Sequence, residues 1–123
     1  HNLNKKTMLQ KKLIIDTETK IDFIEVEEIN YITADSVGSE IHTVCAAKYY
    51  SNKTLSFFES SLSGTFFRIN RNTIINLSYI ENINKLSRKI RIKGNVILSI
   101  STRQLKVLSN RLKIISTRSS ENT

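Results

Sequence analysis

Alternation of apolar and polar positions dominates the first third of the chain. "KKLIID", "KIDFIEV" and "INYITA" each place β-branched or aromatic residues at alternate positions between acidic or polar punctuation, the period-two pattern of half-buried strands. "DSVGSE" interrupts them as a loop around Gly38. "IHTVCAAKYY" reads as a further strand with Cys45 buried in it, and "SNK" as a turn. The period then changes: Leu55, Phe58 and Leu62 recur at helical spacing, Ser or Thr precedes them, and Gly64 stands where a helix stops. "FFRI" and "TIINLSYIENI" return to the strand pattern on either side of a polar kink at "NRN".

The basic segment "NKLSRKIRIKGNVILSI" predicts a hairpin with Gly94-Asn95 at its tip. Ile90 and Ile92 meet Leu98 and Ile100 only if the loop has an odd number of residues, because a one-residue slip exchanges the faces. A loop longer than two is therefore expected, with Lys89, Arg91 and Lys93 sharing the solvent face. In "STRQLKVLSNRLKII", Ser101 and Gln104 have capping-box spacing, and Leu105, Leu108 and Leu112 lie on one helical face. The expected organisation is a linker or expression remnant over 1–10, one domain over 11–115 and a flexible tail over 116–123. The opening His1 in place of Met points to a fragment of a longer protein.

At 123 residues and 39% hydrophobic content, the chain can bury a core without disulfides or a metal. No apolar run approaches the roughly 20 residues of a membrane helix, and the N-terminal stretch lacks the apolar centre of a signal peptide. Cytoplasmic residence with no membrane contact is the expectation, in keeping with a single cysteine. The net charge of +8 is unevenly spread: residues 1–65 hold seven Lys/Arg against nine Asp/Glu, whereas residues 66–123 hold twelve against two. Such asymmetry without a block of like charges points to a folded surface facing a polyanion.

Enzymatic constellations are thin. His42 stands beside no evident nucleophile or carboxylate pair and reads as a packed or surface strand histidine, while Glu25, Glu27 and Glu28 read as a turn's solvated surface. No glycine-rich phosphate loop or HExxH occurs. No enzyme, catalytic residue, cofactor or metal is expected. What the basic half supplies is Arg and Asn at strand-to-loop transitions, the side chains that bond guanine and adenine edges, beside Lys that meets phosphate. Arg68 lies between Phe67 and Ile69 and has an ion pair with an acid such as Glu59 as its structural alternative. Asn76 ends an apolar run, where satisfying backbone groups at a bend is the commoner role.

"FFRINRNTIINLSYIENINK", followed by the basic hairpin and "LSISTRQLKVLSNRL", closely resembles the LytTR DNA-binding domain of bacterial response regulators, over about residues 11–113. Phe66, Phe67, Arg68, Ile69, Arg71, Ile74, Ile75, Asn76 and Ile80 fall on that family's pattern. Asn70 stands where the family usually has His, Asn72 where Ser is common and Thr73 where an aromatic is common. The resemblance implies a mainly β fold, with antiparallel strands in small packed sheets and two short helices. It implies loops that enter successive major grooves of double-stranded DNA, the output module of a two-component transcriptional regulator. Carried over by position, Ser39, Arg71 and Arg103 are the base-contacting candidates. Glu40, Arg68, Asn70, Asn72, Lys85, Arg88 and Lys89 are candidates for the DNA backbone or the rim. Direct-repeat promoter sites, a receiver or sensory domain N-terminal to this chain and a monomeric isolated domain complete the expectation. A protein-interaction module that antagonises a related regulator is the alternative on the same fold.

Overall fold

The structure, a computed structural model, describes residues 12–113 together with Thr117. The stretches expected as linker, 1–10, and as tail, 116–123, lie outside the described residues except for Thr117. Strand β1 (Lys12–Asp16) and β2 (Ile21–Glu25) form a two-stranded antiparallel hairpin. A five-stranded antiparallel sheet follows, built from β3 (Ile29–Asp35), β4 (Gly38–Thr43), β5 (Lys48–Ser51), β6 (Phe66–Asn70) and β7 (Thr73–Asn76) in the order β5-β4-β3-β7-β6. Helix α1 (Leu55–Ser61) links β5 to β6. Strands β8 (Ile80–Asn84), β9 (Lys89–Ile92) and β10 (Val96–Ser99) make a separate antiparallel sheet, and α2 (Thr102–Leu112) closes the domain.

The doubled apolar pairs of "FFRINRNTIIN" explain how these layers stack. Successive strand side chains point to opposite faces, so Phe66 and Ile74 enter a core with Ile24, Ile32, Leu55 and Phe58, beneath the β1–β2 hairpin and α1. Phe67, Ile69 and Ile75 enter a second core with Ile90, Ile92 and Leu108, beneath the three-stranded sheet and α2. Strands β6 and β7 are thus buried on both faces, which is why they read as apolar doublets rather than as simple alternation. Each fully buried isoleucine contributes about 1.5–3 kcal/mol relative to exposure, so both faces are anchored.

Two expected strands are broken by side chains that bond to the backbone. "IHTVCAAKYY" is a hairpin, not a strand: the Thr43 hydroxyl accepts from Ala47 N at 3.0 Å and donates to Ala47 O at 3.1 Å, and Ala46 takes a left-handed φ of 69°. Cys45 is therefore exposed in the turn rather than buried, and the nearby Thr43 hydroxyl lowers its thiol pKa. "TIINLSYIENI" is divided by a single 3-10 turn at Leu77–Tyr79. There Asn76, 3% exposed, accepts from Ser78 N at 2.9 Å and donates to Ile29 O at 2.9 Å. The second hairpin behaves as its apolar parity requires. Ile92 pairs with Val96 and Ile90 with Leu98 across a three-residue loop, in which Gly94 and Asn95 have φ of 84° and 60°.

Strand direction gives the five-stranded sheet two distinct ends. The front end collects the β3–β4 tip, the β5–α1 turn and the β6–β7 turn, and the β8–β9 turn and the start of α2 join it. The back end collects the 3-10 turns at 26–28 and 77–79 and the β4–β5 turn, with the β9–β10 tip beside them.

Candidate nucleic-acid interface

Polar side chains at the front end spend their hydrogen bonds on one another's backbones. Asn70 Oδ1 accepts from Asn72 N at 2.7 Å, closing the β6–β7 turn, while its Nδ2 donates to Ser99 O at 2.7 Å and ties that turn to the end of β10. Ser101 N donates to Ile69 O at 3.0 Å, and Gln104 Nε2 donates to Arg68 O at 2.6 Å, joining the start of α2 to β6. The Ser101 hydroxyl caps α2 by accepting from Gln104 N at 3.2 Å. The Gln104 side chain leaves the capping box to make its bond to the sheet instead. In the β8–β9 turn Arg88 adopts a left-handed φ of 54°, unusual for a side chain of its size. Its carbonyl accepts from Ile100 N at 3.0 Å and its guanidinium donates to Thr102 Oγ1 at 3.2 Å. Lys89 Nζ donates to Ser99 Oγ at 2.8 Å.

These ties bring the β6–β7 turn, the start of α2 and the β8–β9 turn together, and with them Arg71, Asn72, Arg103, Lys85, Arg88 and Lys89, all exposed. Arg71 and Arg103 have no side-chain partner among the described residues. Arg68 is placed otherwise. Its guanidinium bonds Glu59 Oε1 at 3.1 Å and Arg71 O at 2.6 Å, so it braces the β6–β7 turn against α1. The Glu59 alternative read from sequence is the arrangement found.

The β3–β4 hairpin requires a correction. Its connection is only Ser36-Val37, since Asp35 already pairs with Gly38, so Ser39 lies within β4 on the inward face shared with Ile41. Ser39 is 0% exposed and donates its hydroxyl to Lys53 O at 2.7 Å instead of presenting it to solvent. It supports the β5–α1 turn, which presents the exposed Lys53, a cation that the sequence reading passed over. Gly38 makes the close approach possible: a Cβ there would lie 2.0 Å from Ser51 O. Glu40 is set back on the sheet, with Oε1 3.1 Å from His42 Nε2. His42 stacks on Tyr31 at 4.1 Å between ring centroids. Burial lowers its pKa from the ordinary 6.5, opposed by Glu40. Two further residues went unnoticed in the sequence, Val37 at the β3–β4 tip and Leu86 in the β8–β9 turn, 78% and 98% exposed. The signal for both was an apolar residue inside a stretch of turn-forming ones.

The basic front rim, built on packed sheets by short turns, suits a polyanion. A profile of the LytTr DNA-binding domain family matches residues 19–113. The chain belongs to the LytTR family. Its fold is also that of a solved LytTr DNA-binding domain from Bacillus cereus, with a TM-score of 0.73 at 16% identity over 84% of this chain and 97% of the other. No curated protein matches the sequence. The mainly antiparallel β fold with two helices is thus the LytTR fold, and the family's DNA-binding character applies to this domain. Among the described residues no group of three His, Cys, Asp or Glu side chains could hold a metal, and no helix is long and apolar enough to cross a membrane.

Proposed function

We propose that this LytTR domain binds double-stranded DNA sequence-specifically, as the cytoplasmic output module of a bacterial two-component transcriptional regulator whose receiver or sensory domain lies outside this chain. The observation that supports it is the continuity of the front rim. The β6–β7 and β8–β9 turns and the start of α2, far apart in sequence, are tied together and present Arg71, Lys85, Arg88, Lys89 and Arg103, with Lys53 on the β5–α1 turn at the same end of the sheet. Arg71 and Arg103, whose guanidinium forks have no partner among the described residues, suit bidentate bonding to guanine O6 and N7. Lys53, Lys85, Arg88 and Lys89 meet phosphates, which fix position without reading sequence. The start of α2 adds amide donors and the positive end of its dipole.

Several rigid projections reach successive major grooves of one duplex only if that duplex bends, at about 1–6 kcal/mol over 20–30 base pairs. Direct-repeat promoter sites bound by monomeric domains fit such docking. Selection of bound duplexes from a random pool, followed by a salt titration on the recovered sequence, tests the reading. A defined motif is expected, with log affinity falling against log salt at a slope near −0.9 per phosphate neutralised. An unstructured pool together with salt-insensitive binding would remove DNA reading from this domain.

A further inference from the structure

We propose that Val37 is a specificity-determining residue of the front rim and that it reads the C5-methyl group of a thymine in the major groove. The inference rests on the DNA-docking reading above. With Ser39 buried against Lys53 O, the β3–β4 hairpin has a different residue to offer, and the one it presents is Val37, 78% exposed. A lone exposed valine on a mobile loop would mean little. This one is held on three sides.

Asp35 Oδ1 accepts from Val37 N at 2.8 Å and closes the tip as an Asx turn. Gly38 lies so close to Ser51 O that not even a methyl group fits between them, which seats the far side of the tip on the β5–α1 turn. On the near side, Ala34 N donates to Asn72 O at 2.9 Å, so the tip is hydrogen-bonded to the turn that carries Arg71. Val37 and Arg68, the brace of that turn, line the same cleft. The tip's backbone is therefore held at the cleft it shares with Arg68, and the exposed isopropyl group has no core of its own to enter. An isopropyl group neither donates nor accepts hydrogen bonds. The one apolar group on any base edge is the thymine methyl, and it lies only in the major groove.

Deoxyuridine removes that methyl and leaves the pairing unchanged. A duplex selected by this chain from a random pool is made with each thymine in turn replaced by deoxyuridine, and affinities are read by fluorescence anisotropy for wild type, Val37→Ala and Arg71→Ala. Wild type should lose about fourfold at one position, the effect of burying one methyl-sized group. Val37→Ala should lose a similar factor on the all-thymine duplex and be indifferent to deoxyuridine at that position. Arg71→Ala should keep the deoxyuridine effect while relaxing preference at a neighbouring base pair. If Val37→Ala weakens thymine and deoxyuridine duplexes alike, or if no deoxyuridine effect depends on Val37, the inference is overturned while the Arg71 result upholds DNA reading. Should Arg71→Ala also change nothing, the docking reading fails and this inference goes with it. Equal melting temperatures for the two variants and wild type would show that each result concerns the interface.

Discussion

Asparagine side chains tie turns together at both ends of the five-stranded sheet, yet the two ends differ in what surrounds those ties. At the back, Asn76 and Asn30 are buried, 3% and 4% exposed. Asn76 holds Ile29 O and Ser78 N, and Asn30 donates to Lys93 O at 2.9 Å. The exposed charges nearby are mixed: Glu27, Glu28 and Lys93, the last with its ammonium 5.7 Å from the Tyr79 ring centroid. At the front, Asn70 is half-buried and makes the same kind of bond, but it stands among Arg71, Arg88, Lys89 and Arg103. Bonding an asparagine to backbone is thus a device for stiffening turns and says nothing about ligands. Exposed cations on the stiffened turns make the difference.

The largest expected effect lies at the back end. Asn76→Ala leaves a buried carbonyl and an amide without partners and should cost roughly 2–3 kcal/mol of folding stability in denaturant titrations. The base preference of the folded protein should not change. A changed preference would mean that the two ends are coupled and would break the comparison.

At the front the balance reverses. Arg71→Ala and Arg103→Ala should each cost on the order of 1–3 kcal/mol in DNA affinity and relax discrimination at one base position, with melting temperature unmoved. Competition with single-base variants of a selected duplex reads this out, and unchanged discrimination would reduce both arginines to phosphate contacts. A finer contrast pairs two lysines of the same chain segment. Lys89→Ala at the front should reduce the magnitude of the salt slope by about one phosphate's share, and Lys93→Ala at the back should leave it alone. Equal slopes for the two would show that the field of the whole basic half acts rather than one rim.

The smallest effect concerns His42, on the sheet face between the ends. Burial holds its folded pKa below the ordinary 6.5, with Glu40 pulling the other way and Lys48 reinforcing burial. The unfolded chain therefore binds a proton that the folded chain resists. Stability is fully present above pH 6.5 and declines as pH falls through that value towards the folded pKa. Comparing unfolding free energies at about pH 7.5 and 5.5 for wild type and His42→Gln should show a small extra loss in wild type alone. A wild-type gain at the lower pH would mean that Glu40, not burial, governs the ring.

Much of the fold was legible because apolar parity is strict. Ile90, Ile92 and Leu98 by themselves specify an odd hairpin loop, and Ser101 with Gln104 marks the start of α2. Arg71 and Arg103 were legible through the family pattern, and the structure places both on the exposed rim. Misreadings arose where side chains replaced glycine or proline as breakers. The Thr43 hydroxyl and a left-handed Ala46 leave no compositional trace in "HTVCAAK", so Cys45 was placed in a strand. Ser39 was misplaced by a loop drawn too long, although its spacing of two from Ile41 put it on the inward face. The ties that make the rim one body, Asn70 to Ser99 and Gln104 to Arg68, join residues 29 and 36 positions apart, and no local pattern encodes them.

The way α2 begins also bears on how copies of the domain behave side by side. Strand β6 is an edge of its sheet, and an unpaired edge is a template for another chain's strand. Here the carbonyls of Ile69 and Arg68 are already taken by Ser101 N and the Gln104 amide. The opposite edge, β5, is only four residues long and carries Lys48. Tandem sites on one duplex would hold neighbouring domains at local concentrations on the order of millimolar, conditions that reward strand exchange and fibre growth. With one margin partly covered by its own helix and the other cut short, copies crowded together would be held back from seeding an aggregate.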